Sequence, residues 1–170
     1  MQLVILYNFV TASSQPHRLN LQKTNRNQKG TSLHKRLIVY SDGGARGNPG
    51  PAAAGFLILT ENSQELKSAS RFLGVRTNNQ AEYEALIAAL EAAAALGAEE
   101  VVCHLDSELV AKHLTGEYRV KNAELLKLWN KVRDLHVNFK KISFVNVPRT
   151  DGYIQKADAL VNGALDAATK

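Results

Sequence analysis

The sequence predicts an α/β fold: one five-stranded mixed sheet, three antiparallel strands followed by two parallel ones, flanked by helices. Three observations carry this. Three apolar, β-prone runs succeed one another through short turn-rich stretches, as in a meander. A long Ala/Leu-rich segment of helical character follows, and two further short apolar runs then alternate with helical stretches, as crossover units do.

The first strand covers residues 36–42, RLIVYSD, and ends in a carboxylate followed by Gly43 and Gly44. Residues 43–51, GGARGNPGP, read as a turn by composition. Residues 53–60 and 65–73 form the second and third strands, joined around Asn62 and Ser63. Asn78 and Asn79 open the long helix, which carries Glu82 and Glu84 in its first turns and has Gly97 just past its end. Residues 101–105 form a fourth strand that stops at Asp106, and Ser107 caps a short helix reaching residue 114. Beyond Gly116, Asn122 caps a helix through residue 136, with Leu125, Leu128, Trp129, Val132 and Leu135 on one stripe. Residues 142–147 form the fifth strand, closed by Pro148, and the last helix covers residues 155–168.

Domain organisation follows from charge. The chain has 21 basic and 16 acidic residues, a net charge of +5, but the excess is unevenly placed. Residues 1–36 hold six basic residues and no acid, leaving fifteen basic against sixteen acidic in the rest, a net of −1. We therefore expect a basic, mobile arm over residues 1–35 and one folded domain over residues 36–170. The Ser, Thr, Asn and Gln of the arm cannot bury enough apolar area to offset ordering entropy. A near-neutral domain has no bulk field for polyanions, so contacts with nucleic acid must be local and geometric.

The opening MQLVILYNFV is too short to span a bilayer and lacks the preceding basic residue of a secretory signal, so no membrane segment is expected. An acid-free, hydroxyl-rich leader also has the composition of an organelle transit peptide, and a dispensable extension explains it equally well. The single cysteine, Cys103, lies in an apolar run and cannot pair within the chain, which points to a core residue in a reducing, cytoplasmic setting.

The strand order has a chemical consequence. Strands one and four, joined through the long helix by a right-handed crossover, lie parallel, so Asp42 and Asp106 emerge at the same end of the sheet. Glu82 at the start of the crossover helix and Asp158 at the start of the last helix can reach the same crevice. Four carboxylates repel and raise one another's pKa unless a cation relieves them. Magnesium takes hard oxygen ligands and keeps water and phosphate in its shell. Two such ions about 4 Å apart activate a water and stabilise the leaving oxygen of a phosphodiester. Each acid alone has a commoner role: Asp42 as a strand-ending turn residue, Glu82 as a partner of the helix dipole, Asp106 as a cap, Asp158 as a solvated side chain. Their joint placement around one crevice weakens those readings together.

The segments YSDGGARGNPG at residues 40–50, TNNQAEY at 77–83, LDSE at 105–108 and ADAL at 157–160 resemble the four signature blocks of type 1 ribonucleases H, in family order and spacing. The resemblance covers residues 36–168 and implies the ribonuclease H fold. It also implies an endonuclease that cuts the RNA strand of an RNA/DNA hybrid, leaving 5′-phosphate and 3′-hydroxyl ends. Asp42, Glu82, Asp106 and Asp158 match the family's ligands for two Mg²⁺ ions, for which Mn²⁺ can substitute. Gly44, Asn48, Asn78 and Asn79 match substrate contacts, the asparagines facing the minor groove and its 2′-hydroxyls, where amides can both donate and accept. Thr77 resembles a residue of the DNA-phosphate pocket. Asn48 as a turn residue and Asn78 as a helix cap are the ordinary alternatives.

The chain departs from the family twice. Only GEYRVKN, residues 116–122, stands where many members carry a long basic protrusion, which predicts weaker hybrid binding unless the basic arm substitutes for it. Between Val147 and Asp158 there is also no histidine where many members have one; the loop offers Arg149 and Thr150 instead. We expect Arg149 to approach the released phosphate, as a guanidinium fork is suited to do, with a plain surface position after the Pro148 turn as the equal alternative. His104 reads as a packed or surface imidazole. A binding-only domain would be favoured by a missing acid, and none is missing. An integrase or 3′ to 5′ exonuclease of the same fold is disfavoured by the glycine-rich turn and by Thr77, Asn78 and Asn79. The expected state is a monomer whose partner is the hybrid, with no obligate protein partner and no membrane.

Overall fold

Alternation along the first strand sorts its residues between two helical layers. Leu37 and Val39, both fully buried, face one layer, whereas Tyr40 and Asp42 point to the other. The computed structural model describes residues 35–168; the expected arm, apart from Lys35, lies outside them. The strands are β1 (Arg36–Ala45), β2 (Gly50–Thr60), β3 (Glu65–Arg76), β4 (Glu100–Leu105) and β5 (Lys141–Asn146), in the sheet order β3-β2-β1-β4-β5. β1 pairs antiparallel with β2, and β2 with β3; β4 runs parallel to both β1 and β5. This is the mixed sheet expected from the sequence.

The helices are α1 (Asn78–Ala95), α2 (Glu108–Thr115), α3 (Ala123–Leu135) and α4 (Gly152–Ala168), with a short 3-10 turn at His136–Asn138. On one face Leu37, Val39, Phe56, Ile58, Val101, Cys103 and Leu105 pack against α1 and α3 through Leu86, Leu90, Leu125 and Val132. Burial of Cys103 pushes its thiol pKa up, in keeping with a core residue. On the other face α4 lays Val161 and Leu165 on Ala53.

Several boundaries differ from the sequence reading. The segment read as a nine-residue turn is mostly strand: β1 runs on to Ala45 and β2 begins at Gly50, so only residues 46–49 turn. Glycine and proline suggested a loop, but pairing of Gly43 with Ala54, Gly44 with Ala53 and Ala45 with Ala52 overrides that composition. The cap of α1 is Thr77, not Asn78. Its hydroxyl accepts from the Gln80 N–H while the Gln80 side chain accepts from the Thr77 N–H, a capping box. Glu82 consequently sits one residue further into the helix than an Asn78 cap would place it, and the first turn carries no acid. α4 starts three residues earlier than expected, at Gly152, because Asp151 Oδ1 accepts from the N–H groups of Tyr153 and Ile154.

Candidate active site

Two glycines let the helices approach closely enough to bring acids together. A side chain at Gly43 would collide with the Ala81 carbonyl and the Glu82 nitrogen, so β1 and α1 meet here backbone to backbone. Gly55, the partner of Asp42 on β2, is similarly crowded by the Ala157 carbonyl and by Leu160 and Val161 of α4. The first contact delivers Glu82 to Asp42, and the second seats α4 beside both.

Asp42, Glu82 and Asp106 each present a carboxylate oxygen within 4.8 Å of the others. Asp42 and Glu82 are both 7% exposed, and the Asp106 side chain is 5% exposed. Glu82 Oε2 and Asp106 Oδ1 are buried with no hydrogen-bond partner among the described residues. Burial, reinforced by the charges of Asp106 and Asp158, pushes the Asp42 carboxyl up to about 7, against opposing help from Arg149 and the Gly43 N–H. Burial and then Asp42 and Asp106 hold Glu82 well above the usual carboxylate range. Asp106 is raised by burial, an effect that the nearby Arg149 guanidinium opposes. Crowded, desolvated and partly unpartnered oxygens of this kind fit a divalent cation, which takes hard oxygen ligands and removes the repulsion.

Asp158, the fourth expected acid, lines the same groove of about 550 Å³ but stands outside this compact triad. It is exposed, and Asn162, one turn on, donates to both its carbonyl and its Oδ2 at 3.1 Å. Gly44, Asn78, Asn79 and Arg149 also line the groove. Asn48 and Thr77 do not, but Asn48 Oδ1 accepts from the Asn78 N–H at 3.1 Å and Asn78 Oδ1 accepts from the Ala45 N–H at 2.8 Å. The turn and the start of α1 are thus pinned together through side-chain oxygens, which leaves the amide nitrogens to donate elsewhere. Arg149 Nε lies 3.2 Å from Asp106 Oδ2, with the arginine side chain 85% exposed. His104 is taken up in a stack on Tyr40, ring centroids 4.6 Å apart, which agrees with a packed imidazole.

Arg46 and Asn162 are among the groove residues that sequence reasoning missed. Arg46 sits in the turn that was singled out for its glycines, and Asn162 lies four residues after Asp158, a helical spacing that could have flagged it.

A mixed sheet in this order, with acids at the adjoining ends of β1 and β4 and a third on the crossover helix, defines the ribonuclease H fold. Comparison with known proteins agrees. A family described as "Reverse transcriptase-like" matches residues 40–164. A ribonuclease HI of Halobacterium salinarum is 43% identical over 133 residues, covering 78% of this chain and 66% of that protein. A bifunctional protein of Mycobacterium tuberculosis is 40% identical over 136 residues, covering 79% of this chain and 37% of that one. The chain therefore spans from about a third to just under two thirds of the length of these curated relatives. The crystal structure of the Halobacterium ribonuclease H1 superposes with a TM-score of 0.75 at 42% identity, covering 78% of this chain and 98% of that one. LC11 ribonuclease H1 in complex with an RNA/DNA hybrid superposes at 0.74 and 40% identity, covering 79% and 99%. The chain belongs to the type 1 ribonuclease H family.

Proposed function

We propose that this protein is an endonuclease that hydrolyses the RNA strand of RNA/DNA hybrids. The observation that carries the reading is the triad Asp42, Glu82 and Asp106: three buried carboxylates, two with an unpartnered oxygen, lining a groove of about 550 Å³. Asp42, Glu82 and Asp106, with Asp158 from α4, would hold divalent cations, Mg²⁺ or Mn²⁺. Two ions bound there would supply an activated water and stabilise the leaving oxygen.

The remaining work falls to the chain's own side chains. Asp42 and Glu82 must lose the protons that burial favours before a cation can be held. Asn48, Asn78 and Asn79 offer amides suited to reading the 2′-hydroxyls that separate RNA from DNA. Gly44 lets the backbone pass close to the substrate, Thr77 is suited to a phosphate of the DNA strand, and Arg149 to the phosphate released. Every one of these groups comes from a single chain, so a monomer suffices. No helix among the described residues is long and apolar enough to cross a membrane.

The test is to incubate the full chain and Mg²⁺ with hybrid, duplex DNA and duplex RNA in parallel. Only the RNA strand of the hybrid should be cut, with 5′-phosphate and 3′-hydroxyl ends, and excess chelator should stop the reaction. Cleavage that survives the chelator, or that ignores the hybrid, overturns the proposal.

A further inference from the structure

Among the described residues, the cations lining the groove are two, Arg46 and Arg149, and they stand apart from each other. Arg149 reaches Asp106 from the loop between β5 and α4. Arg46 reaches in from the β1–β2 turn, and its Nη2 is bonded to Asp166 Oδ1 on α4. Ala45, Val161, Asn162 and Leu165 line the same groove. A groove of about 550 Å³ is more than a single phosphate over the triad needs.

The contact between Arg46 and Asp166 has the features of a latch rather than a brace. Both side chains are substantially exposed, 44% and 61%, and an ion pair so exposed adds little to stability. Asp166 lies in the last turn of α4, where a negative charge opposes the helix dipole, so the helix gains nothing from it. The Arg46 backbone, by contrast, is fixed: its N–H donates to the Pro51 carbonyl at 2.8 Å, and Gly50 crowds its own carbonyl. Only the guanidinium need swing, and an ion pair so exposed costs little to break. A phosphodiester offers paired oxygens to a bidentate fork just as the Asp166 carboxylate does, so a backbone phosphate seated in the groove can compete for the guanidinium.

We propose that Arg46 is a substrate-binding residue that grips a backbone phosphate flanking the one at the carboxylates, and that Asp166 is its competitor in the free protein. The proposal rests on the nucleic-acid reading of the groove. In a domain with a net charge near zero, one released guanidinium is a sizeable share of the local attraction for a polyanion.

The experiment measures binding of the full chain to a labelled RNA/DNA hybrid across a salt series in chelator, so that no strand is cut, for Arg46→Ala, Asp166→Ala and the double variant, with thermal melts of each. Arg46→Ala should weaken binding roughly three- to tenfold and lower the salt slope by about one. Asp166→Ala should tighten binding about two- to fivefold, the range an exposed pair is worth. The double variant should behave as Arg46→Ala, and Arg46→Lys should keep the slope while losing part of the affinity. Melts that stay close to wild type complete the expected pattern. Unchanged binding in Arg46→Ala, or weakened binding in Asp166→Ala, overturns the proposal. If instead the wild type failed to prefer or cut hybrid while these opposite shifts appeared, the functional reading would fail and the latch would stand.

Discussion

Gly43 on β1 passes against the peptide joining Ala81 and Glu82 on α1 so tightly that no side chain fits between them. Glu82 reaches Asp42 because of that gap. Gly43→Ala should therefore force β1 and α1 apart, cost about 3 kcal/mol of stability, and lower turnover at least about 100-fold by displacing Glu82. Denaturant unfolding and hybrid cleavage check both. A variant with wild-type turnover would show that the close approach does not position the acid.

A second prediction concerns charge. The folded-state pKa of Asp42 is raised to about 7, so the native state holds this proton more tightly than the unfolded chain does. Its contribution to stability is then complete below the unfolded value, about 4, and is lost as pH rises through about 7. In chelator, the stability of the wild type should fall relative to Asp42→Asn across that window. At pH 8 the variant should be the more stable, by on the order of a few kcal/mol. Mg²⁺ should narrow or reverse the difference, since it stabilises only the chain with an intact site. Urea titrations at pH 5 and pH 8, with and without Mg²⁺, read this directly, and equal stabilities at pH 8 without metal would contradict it.

The same protons govern activity. A cation must displace them from Asp42 and Glu82, so cleavage at limiting Mg²⁺ should fall as pH drops below about 7 and recover in part with more metal. Asp42→Asn and Asp106→Asn should each abolish turnover while leaving the far-ultraviolet circular dichroism unchanged. Near wild-type rates in either variant would remove that residue from the site.

Arg149 touches Asp106 while remaining mostly exposed, so it is free to exchange that carboxylate for a phosphate. Arg149→Ala should lower the multiple-turnover rate more than the single-turnover rate, because only the former includes product release. Equal rates in both regimes would return Arg149 to the surface.

The basic residues ahead of the domain are a further test of where hybrid affinity arises. A chain beginning at His34 should fold and cut, with weaker hybrid binding and a shallower salt dependence, because the bases removed can each release counterions from phosphate. Identical salt slopes for the two lengths would show those residues to be inert.

The strand order, the crossover that places Asp42 beside Asp106, and the caps at Ser107 and Asn122 were legible in the sequence, because apolar periodicity and capping chemistry act over a few residues. The limits of the glycine-rich turn were not. Residues 43–45 and 50–51 become strand only because β2 folds back and pairs with β1, a nonlocal contact that local composition cannot register. Nor could the sequence reveal that Gly43 and Gly55 serve helix approach, that Arg46 meets a residue 120 positions away, or that Asp158 stands outside the compact triad. Residue types and their spacing determine which acids can reach the end of the sheet. How closely they crowd is decided by how near the packed helices let two backbones come.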